Sequence, residues 1–212
     1  MTTAYTSFLP EVLPAVPGCP QILAVDAIRK TAIDFCERGL AWLYNHDPLP
    51  SLANEGTYPF EPPTGSLVCE VRQAKYNNIR LIPKTTEQLD EMYQNWQTET
   101  GTQPAYYTQI DEDNIILVPM PSSAISDALV MLVALKPTLD STEVDDRIYQ
   151  QHLIPISVGA KAKLMMMDGQ PWTNEKKAAY LAGVYEEAVS KARYKASSGH
   201  GRARRRTRGS YF

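Results

Sequence analysis

Two regions with helical spacing, one toward each end of the chain, are separated by about a hundred residues in which strand patterns and turns alternate. In the first region, over residues 21–38, Ile22, Val25, Ile28, Ala32 and Phe35 lie close to a helical period. Pro20 fits the first helical position and Gly39 ends the helix. Toward the C-terminus, Asp145 and Asp146 serve as caps and first-turn anions. Residues 150–167 then carry Leu153, Ile156, Ala160 and Leu164 as a buried row. Pro155 falls inside that row and predicts a break near residues 153–156. Thr173 is the expected cap of a last helix running to about Ala196.

The middle reads differently. Around Pro48 and Pro50 the backbone is extended or turned. Residues 67–76 form a strand with Leu67, Cys69 and Val71 on one face. Asn77 and Asn78 predict a two-residue hairpin turn into residues 79–82. A short helix over 86–93 takes Thr85 or Thr86 as its cap. Residues 105–110 and 114–118 are strands joined by Asp111, Glu112 and Asp113. Alternation is weak in 128–135, which predicts a strand covered on both sides. The expected class is α+β. It is a mainly α-helical bundle of one N-terminal and two C-terminal long helices, over residues 1–40 and 139–196. A β-rich insertion, residues 41–138, interrupts it, and a flexible basic arm, residues 197–212, follows it.

Charge is polarised along the chain. Lys191, Arg193, Lys195, Arg202, Arg204, Arg205, Arg206 and Arg208 give residues 191–212 eight cations and no acidic side chain. The whole chain has 21 cations and 24 anions, so the other 190 residues hold 13 and 24, a net charge of −11. Such a body repels DNA, whereas the arm seeks an anionic partner. Three readings of the arm stand side by side. It contacts nucleic-acid phosphates; or it docks in an acidic groove on a protein, with Tyr211 and Phe212 as an aromatic anchor; or it only solubilises. The terminal aromatics favour docking, because electrostatics alone needs no ring.

No catalytic motif is present: the nucleophile elbow, the phosphate-binding glycine loops and the zinc-protease helix are all missing. No catalytic residue, metal ligand or cofactor is expected. Cys19, Cys36 and Cys69 are odd in number, without metal spacing, and read as free thiols. His46 and His152 have no evident partners, and Asp111 to Asn114 lacks the ligand spacing of a calcium loop. No stretch is long and apolar enough for a membrane span, and the first residues lack the pattern of a secretory signal. Tyr106 and Tyr107 point to opposite faces of their strand, and a ring on the outer face suits a subunit contact.

Scattered motifs nonetheless occur in a recognisable order. They are the Pro14 to Pro20 opening, Ala27 to Glu37 on the first helix, and Leu81 to Pro83 before the small helix. Trp96, then Gly101 with Gln103 to Tyr107, then Ile115 to Pro121 follow. Ala134 to Thr138, Gly159 to Leu164, and Pro171 with Trp172 complete the series. In this order and spacing the chain resembles the head-to-tail adaptor proteins of tailed bacteriophages. The resemblance implies a structural virion protein, not an enzyme. Its copies form a ring, usually of twelve, attached to the portal protein. The ring carries the tail or nozzle proteins and leaves a channel through which DNA passes without sequence-specific binding. The protein is then assembled in the host cytoplasm and resides at the head–tail junction, with no membrane partner. The C-terminal arm embraces the portal, through Arg202, Arg204, Arg205, Arg206, Arg208, Tyr211 and Phe212. The competing function is a DNA-binding protein acting through the same arginine-rich tail.

Overall fold

A computed structural model describes residues 1–199 of the chain. It resolves two compact units: residues 1–41 with those from 142 onward, and residues 42–141. Among the described residues helix accounts for 41% and strand for 30%, with four sheets of two or more strands. The expected mainly helical bundle with a β-rich insertion is thereby corrected. The strands of the middle region run to 13 residues and bury a core of sixteen residues of their own. That is an independent hydrophobic centre, not an elaborated loop.

The first unit is helical. Its strand β1 (Thr2–Ala4) pairs antiparallel with β12 (Glu143–Asp145), and a short helix α1 (Leu9–Val12) follows β1. Three long helices pack on one another: α2 (Gln21–Gly39), α4 (Asp146–Met165) and α5 (Glu175–Ser198). On α2, Ala24, Ala27, Ile28, Thr31, Ala32 and Phe35 are buried, whereas Ile22 is 86% exposed. Steps of three residues fall short of a full helical turn, so the row that starts at Ile22 drifts off the buried face. Gly39 is the last helical residue rather than the terminator; Leu40 takes the left-handed conformation at φ 50°. Gly39 answers a packing need: a Cβ there would stand 3.2 Å from the Cβ of Ala192 on α5.

In α4, Ile156, Ala160 and Leu164 are buried as their spacing requires. The helix kinks at His152 (φ −129°, ψ 18°), within one turn before Pro155, whose ring excludes regular helix there. Asp145 caps α4 by accepting the Arg147 N–H at 2.8 Å. The cap of α5 is Asn174, which accepts the Lys177 N–H, and not Thr173. The Thr173 hydroxyl instead closes the preceding turn, accepting the Gln170 N–H at 3.0 Å and donating to the Met167 carbonyl.

The second unit is built on strands. One sheet runs β2 (Trp42–Ser51), β11 (Ile125–Pro137), β4 (Ser66–Tyr76) and β5 (Ile79–Arg80), all antiparallel. The other runs β3 (Thr57–Pro59), β9 (Asn114–Val118), β8 (Tyr106–Thr108) and β6 (Ile82–Pro83), with β6 parallel to β8. Both sheets bury side chains in one core, among them Val68, Tyr76, Leu129 and Val133 from the first and Tyr107, Ile115 and Leu117 from the second. A small parallel pair, β7 (Thr100–Gly101) with β10 (Met120–Pro121), and the helix α3 (Thr86–Met92) complete the unit. Strand β2 lies at a sheet edge. Pro48 and Pro50 withhold N–H groups from that edge, which blunts further strand pairing.

Candidate docking site

Two clefts open on the β unit, and a pair of bulges shapes the larger. Against β11, strand β4 carries extra residues at Cys69 and Arg72, where the pairing skips from Val68 to Glu70 and from Val71 to Gln73. Each bulge shifts the alternation by one residue. Val68 and Val71 therefore both enter the core, while Leu67 and Cys69 stay half-buried. The expected single face of Leu67, Cys69 and Val71 is broken for this reason. The Gln109 side chain serves the bulged backbone: its Oε1 accepts the Val71 N–H at 3.0 Å and its Nε2 donates to the Val68 carbonyl at 3.4 Å. The Tyr107 hydroxyl donates to the Val71 carbonyl at 3.1 Å, and burial raises its pKa. A cleft of about 820 Å³ lies over these residues, with Arg72, Lys84, Glu70, Asp111 and Glu112 in its lining.

The second cleft, about 440 Å³, lies against α3. Thr85 starts that helix with a capping box, its hydroxyl accepting the Gln88 N–H while the Gln88 side chain takes the Thr85 N–H. The helix places Asp90 so that it accepts the Trp96 indole N–H at 2.7 Å. Trp96 is buried with Leu89 and Val118. Ile116, Leu117 and Met120 line the same cleft, with Glu55 and Asp90 among its polar residues. Thr86 and Ile110 belong to both clefts, and Ile110 is 63% exposed. Charge in this unit is one-sided: residues 42–141 hold 13 carboxylates and five cations, a net charge of −8.

The loop at Asp111 is a turn rather than a cation site. Its carboxylate accepts the N–H groups of Asp113 and Asn114 at 3.0 and 2.8 Å, which lowers its pKa. His46, expected without partners, is buried; its Nε2 accepts the Glu61 N–H at 2.8 Å and its Nδ1 donates to the Asp47 carbonyl. Among the described residues, no three His, Cys, Asp or Glu side chains gather as a metal ion requires. Among the described residues no disulfide joins Cys19, Cys36 and Cys69.

In the helical unit a polar network ties α2 to α5. Tyr185 donates to Asp34 at 2.6 Å, and Arg38 forms a two-pronged pair with Glu186 and lies 3.4 Å from Asp34. Burial and the bond to Asp34 push the Tyr185 phenol well above its ordinary pKa, and Arg38 holds Glu186 below its own. His152 packs against Phe35 with ring centres 4.8 Å apart, and burial lowers its pKa to about 4. On the outer side of α5, Tyr180 and Tyr194 are 71% and 65% exposed. The expected docking residues Arg202, Arg204, Arg205, Arg206, Arg208, Tyr211 and Phe212 lie outside the described residues. Sequence reading missed Gln109, Glu55 and the Asp90–Trp96 pair, because no periodic signal links residues that meet only through sheet packing.

Apolar floors edged by charge are surfaces on which another protein can dock. The family model described as SU10 adaptor protein matches residues 6–209, and the chain belongs to that family, one of phage head–tail adaptors. It is a structural phage protein of the virion whose partners are other head and tail proteins. No curated protein matches the chain. No helix among the described residues is long and apolar enough to cross a membrane.

Proposed function

We propose that copies of this chain form a ring, twelve to match the portal, that joins the portal to the tail and leaves a channel for DNA. The observation that supports this reading best is the separation of charge. The β unit carries a net charge of −8, whereas residues 191–212 carry eight cations and no acidic side chain. A channel wall rich in carboxylates does not grip the phosphates of passing DNA, so transport stays smooth. The cations are gathered in an arm that seeks an anionic partner instead. In this reading the helical segments, residues 1–40 and 139–196, build the ring. The β-rich part, residues 41–138, meets neighbouring copies or the next tail protein. The arm, residues 197–212, grips the portal through Arg202, Arg204, Arg205, Arg206, Arg208, Tyr211 and Phe212.

Electron microscopy of the full chain mixed with its portal protein tests the proposal. The expected result is a ring of added density on the portal that is lost when residues 197–212 are removed. Failure to bind the portal, together with binding to duplex DNA that weakens steeply with salt, overturns it in favour of a DNA-binding protein.

A further inference from the structure

The two clefts of the β unit differ in how their charges are used. In the larger one each acid is engaged within the unit. Glu70 pairs with Arg72, Glu112 pairs with Lys136 at 2.6 Å, and Asp111 accepts two backbone N–H groups. Two cations, Arg72 and Lys84, also line it. The smaller cleft has neither feature. No lysine or arginine lines it. Most of its lining comes from residues 85–135, a stretch with eight carboxylates and no lysine or arginine. One oxygen of Asp90 accepts the Trp96 indole N–H. Among the described residues, the other Asp90 oxygen and the Glu55 carboxylate accept no hydrogen bond and form no ion pair, and both side chains are exposed to solvent. The same cleft is lined by the buried Trp96 and Leu117 and the half-buried Ile116 and Met120.

We infer that this cleft receives a segment of another head or tail protein in which an arginine stands beside a large apolar residue. The guanidinium pairs with Glu55, in the field of Asp90, and the apolar side chain lies against Trp96 and its neighbours. Two independent features select this occupant. The first is charge: open carboxylates, with no cation in the lining, on a unit with a net charge of −8. Both oxygens of Glu55 are open, as the planar fork of a guanidinium requires, whereas Asp90 has one oxygen committed to Trp96. The second is the apolar lining, which takes the methylene stem of the arginine and the side chain next to it. The cleft volume of about 440 Å³ is in the range of sites that enclose a small ligand, enough for one or two side chains. The same carboxylates repel the phosphates of a nucleic acid. The inference states the chemistry of the partner and rests on the reading that the β-rich part meets another protein.

The test uses the full-length chain and a short synthetic probe, an acetylated and amidated peptide of glycine, leucine, arginine and glycine. Binding is followed by NMR at the assigned indole N–H signals of Trp42, Trp96 and Trp172. A saturable shift at Trp96 is expected, with Trp42 and Trp172, which line neither cleft, unmoved. Citrulline in place of the arginine keeps the shape without the charge and should weaken binding roughly tenfold. Serine in place of the leucine should weaken it roughly fivefold. Glu55→Lys should weaken binding of the original probe roughly tenfold. Asp90→Asn removes charge while its amide oxygen still accepts the indole N–H, and should weaken binding by a smaller factor. Glu61→Lys makes the same charge change as Glu55→Lys outside the cleft lining and should leave binding within about twofold, because exposed charges act weakly at a distance. Unchanged circular dichroism shows that each variant is folded. No shift at Trp96, equal binding of the citrulline peptide, or equal losses for Glu55→Lys and Glu61→Lys would each overturn the inference. So would a chain that sediments as a dimer and becomes monomeric with Glu55→Lys, because the occupant is then a second copy. Portal binding is read separately by microscopy, so failure here and failure of the ring reading give different results.

Discussion

Replacing Gly159 by alanine adds one methyl group where three helices meet. A Cβ at that position would lie 2.6 Å from Thr31 Cγ2 on α2, and 2.7 and 2.8 Å from Cδ2 and Cε2 of Tyr185 on α5. None of these atoms is the free end of a flexible side chain. Thr31 is fully buried and its hydroxyl donates to the Ala27 carbonyl at 2.7 Å. The Tyr185 ring is held by its bond to Asp34 at 2.6 Å. Relief therefore requires α4 to move away from both neighbours. Overpacking of this kind costs about 1–3 kcal/mol, and more where nothing yields. Alanine also favours helix over glycine by about 1 kcal/mol, which opposes the loss. With no atom free to yield, the overpacking term is about 2–4 kcal/mol, so the balance is a destabilisation of about 1–3 kcal/mol, or a fall of roughly 3–10 °C in the melting temperature of a domain this size. Gly183→Ala supplies the control. It lies on α5 with no heavy atom within 4 Å of its added Cβ, so only the propensity gain remains. Thermal melts followed at the helical circular dichroism band should shift down for Gly159→Ala and stay level or rise for Gly183→Ala. If Gly159→Ala melts at or above the unmodified protein, the close approach of α4 to α2 and α5 is wrong.

Three further outcomes are expected. His152 has its pKa lowered to about 4, so the unfolded chain binds the extra proton between pH 6.5 and about 4. Its contribution is complete above pH 6.5 and lost as pH falls through that window, about 1–2 kcal/mol after allowance for solvent screening. Urea unfolding at pH 7 and pH 5 should show this loss, and His152→Phe should flatten that part of the profile. Gln109→Leu removes the partners of the Val71 N–H and the Val68 carbonyl, at a cost of about 1–3 kcal/mol. Denaturation midpoints check it, and a cost below experimental error would show that solvent replaces the side chain. Deleting Tyr211 and Phe212 should weaken binding of a 197–212 peptide to purified portal more than changing Arg202 and Arg204 to alanine. Exposed ion pairs contribute only about 0–1 kcal/mol each, against about 1–2 kcal/mol of backbone entropy per ordered residue. Unchanged affinity after the deletion, with loss on the arginine changes, would mean that the arm binds by charge alone.

Much of the local architecture was legible in the sequence because its causes are local. Asn77 and Asn78 both take positive φ, at 50° and 63°, as a tight hairpin between β4 and β5 requires. Thr85 and Gln88 sit three residues apart and close a capping box within one turn. Pro155 breaks α4 through its own ring. The polarity of charge can be counted along the chain. None of these needs a distant partner.

Tertiary structure decided the rest. Strand patterns do not reveal whether two sheets will share a core; that is decided where side chains of the β2-β11-β4-β5 sheet meet those of the β3-β9-β8-β6 sheet. The bulges at Cys69 and Arg72 exist only relative to β11, so the faces of β4 past Val68 have no signature in its own sequence. Gly39 looked like a helix terminator, yet its role is to let Ala192 come close from more than 150 residues away. The acidic cleft is of the same kind. Glu55, Asp90, Trp96 and Met120 come from separate loops and elements, and only packing of the unit brings them around one cavity. Helix spans, caps and turns follow from interactions within a few residues. Bulges, close approaches and clefts are set by which strands and helices meet, and that is fixed by burying both faces of the chain at once.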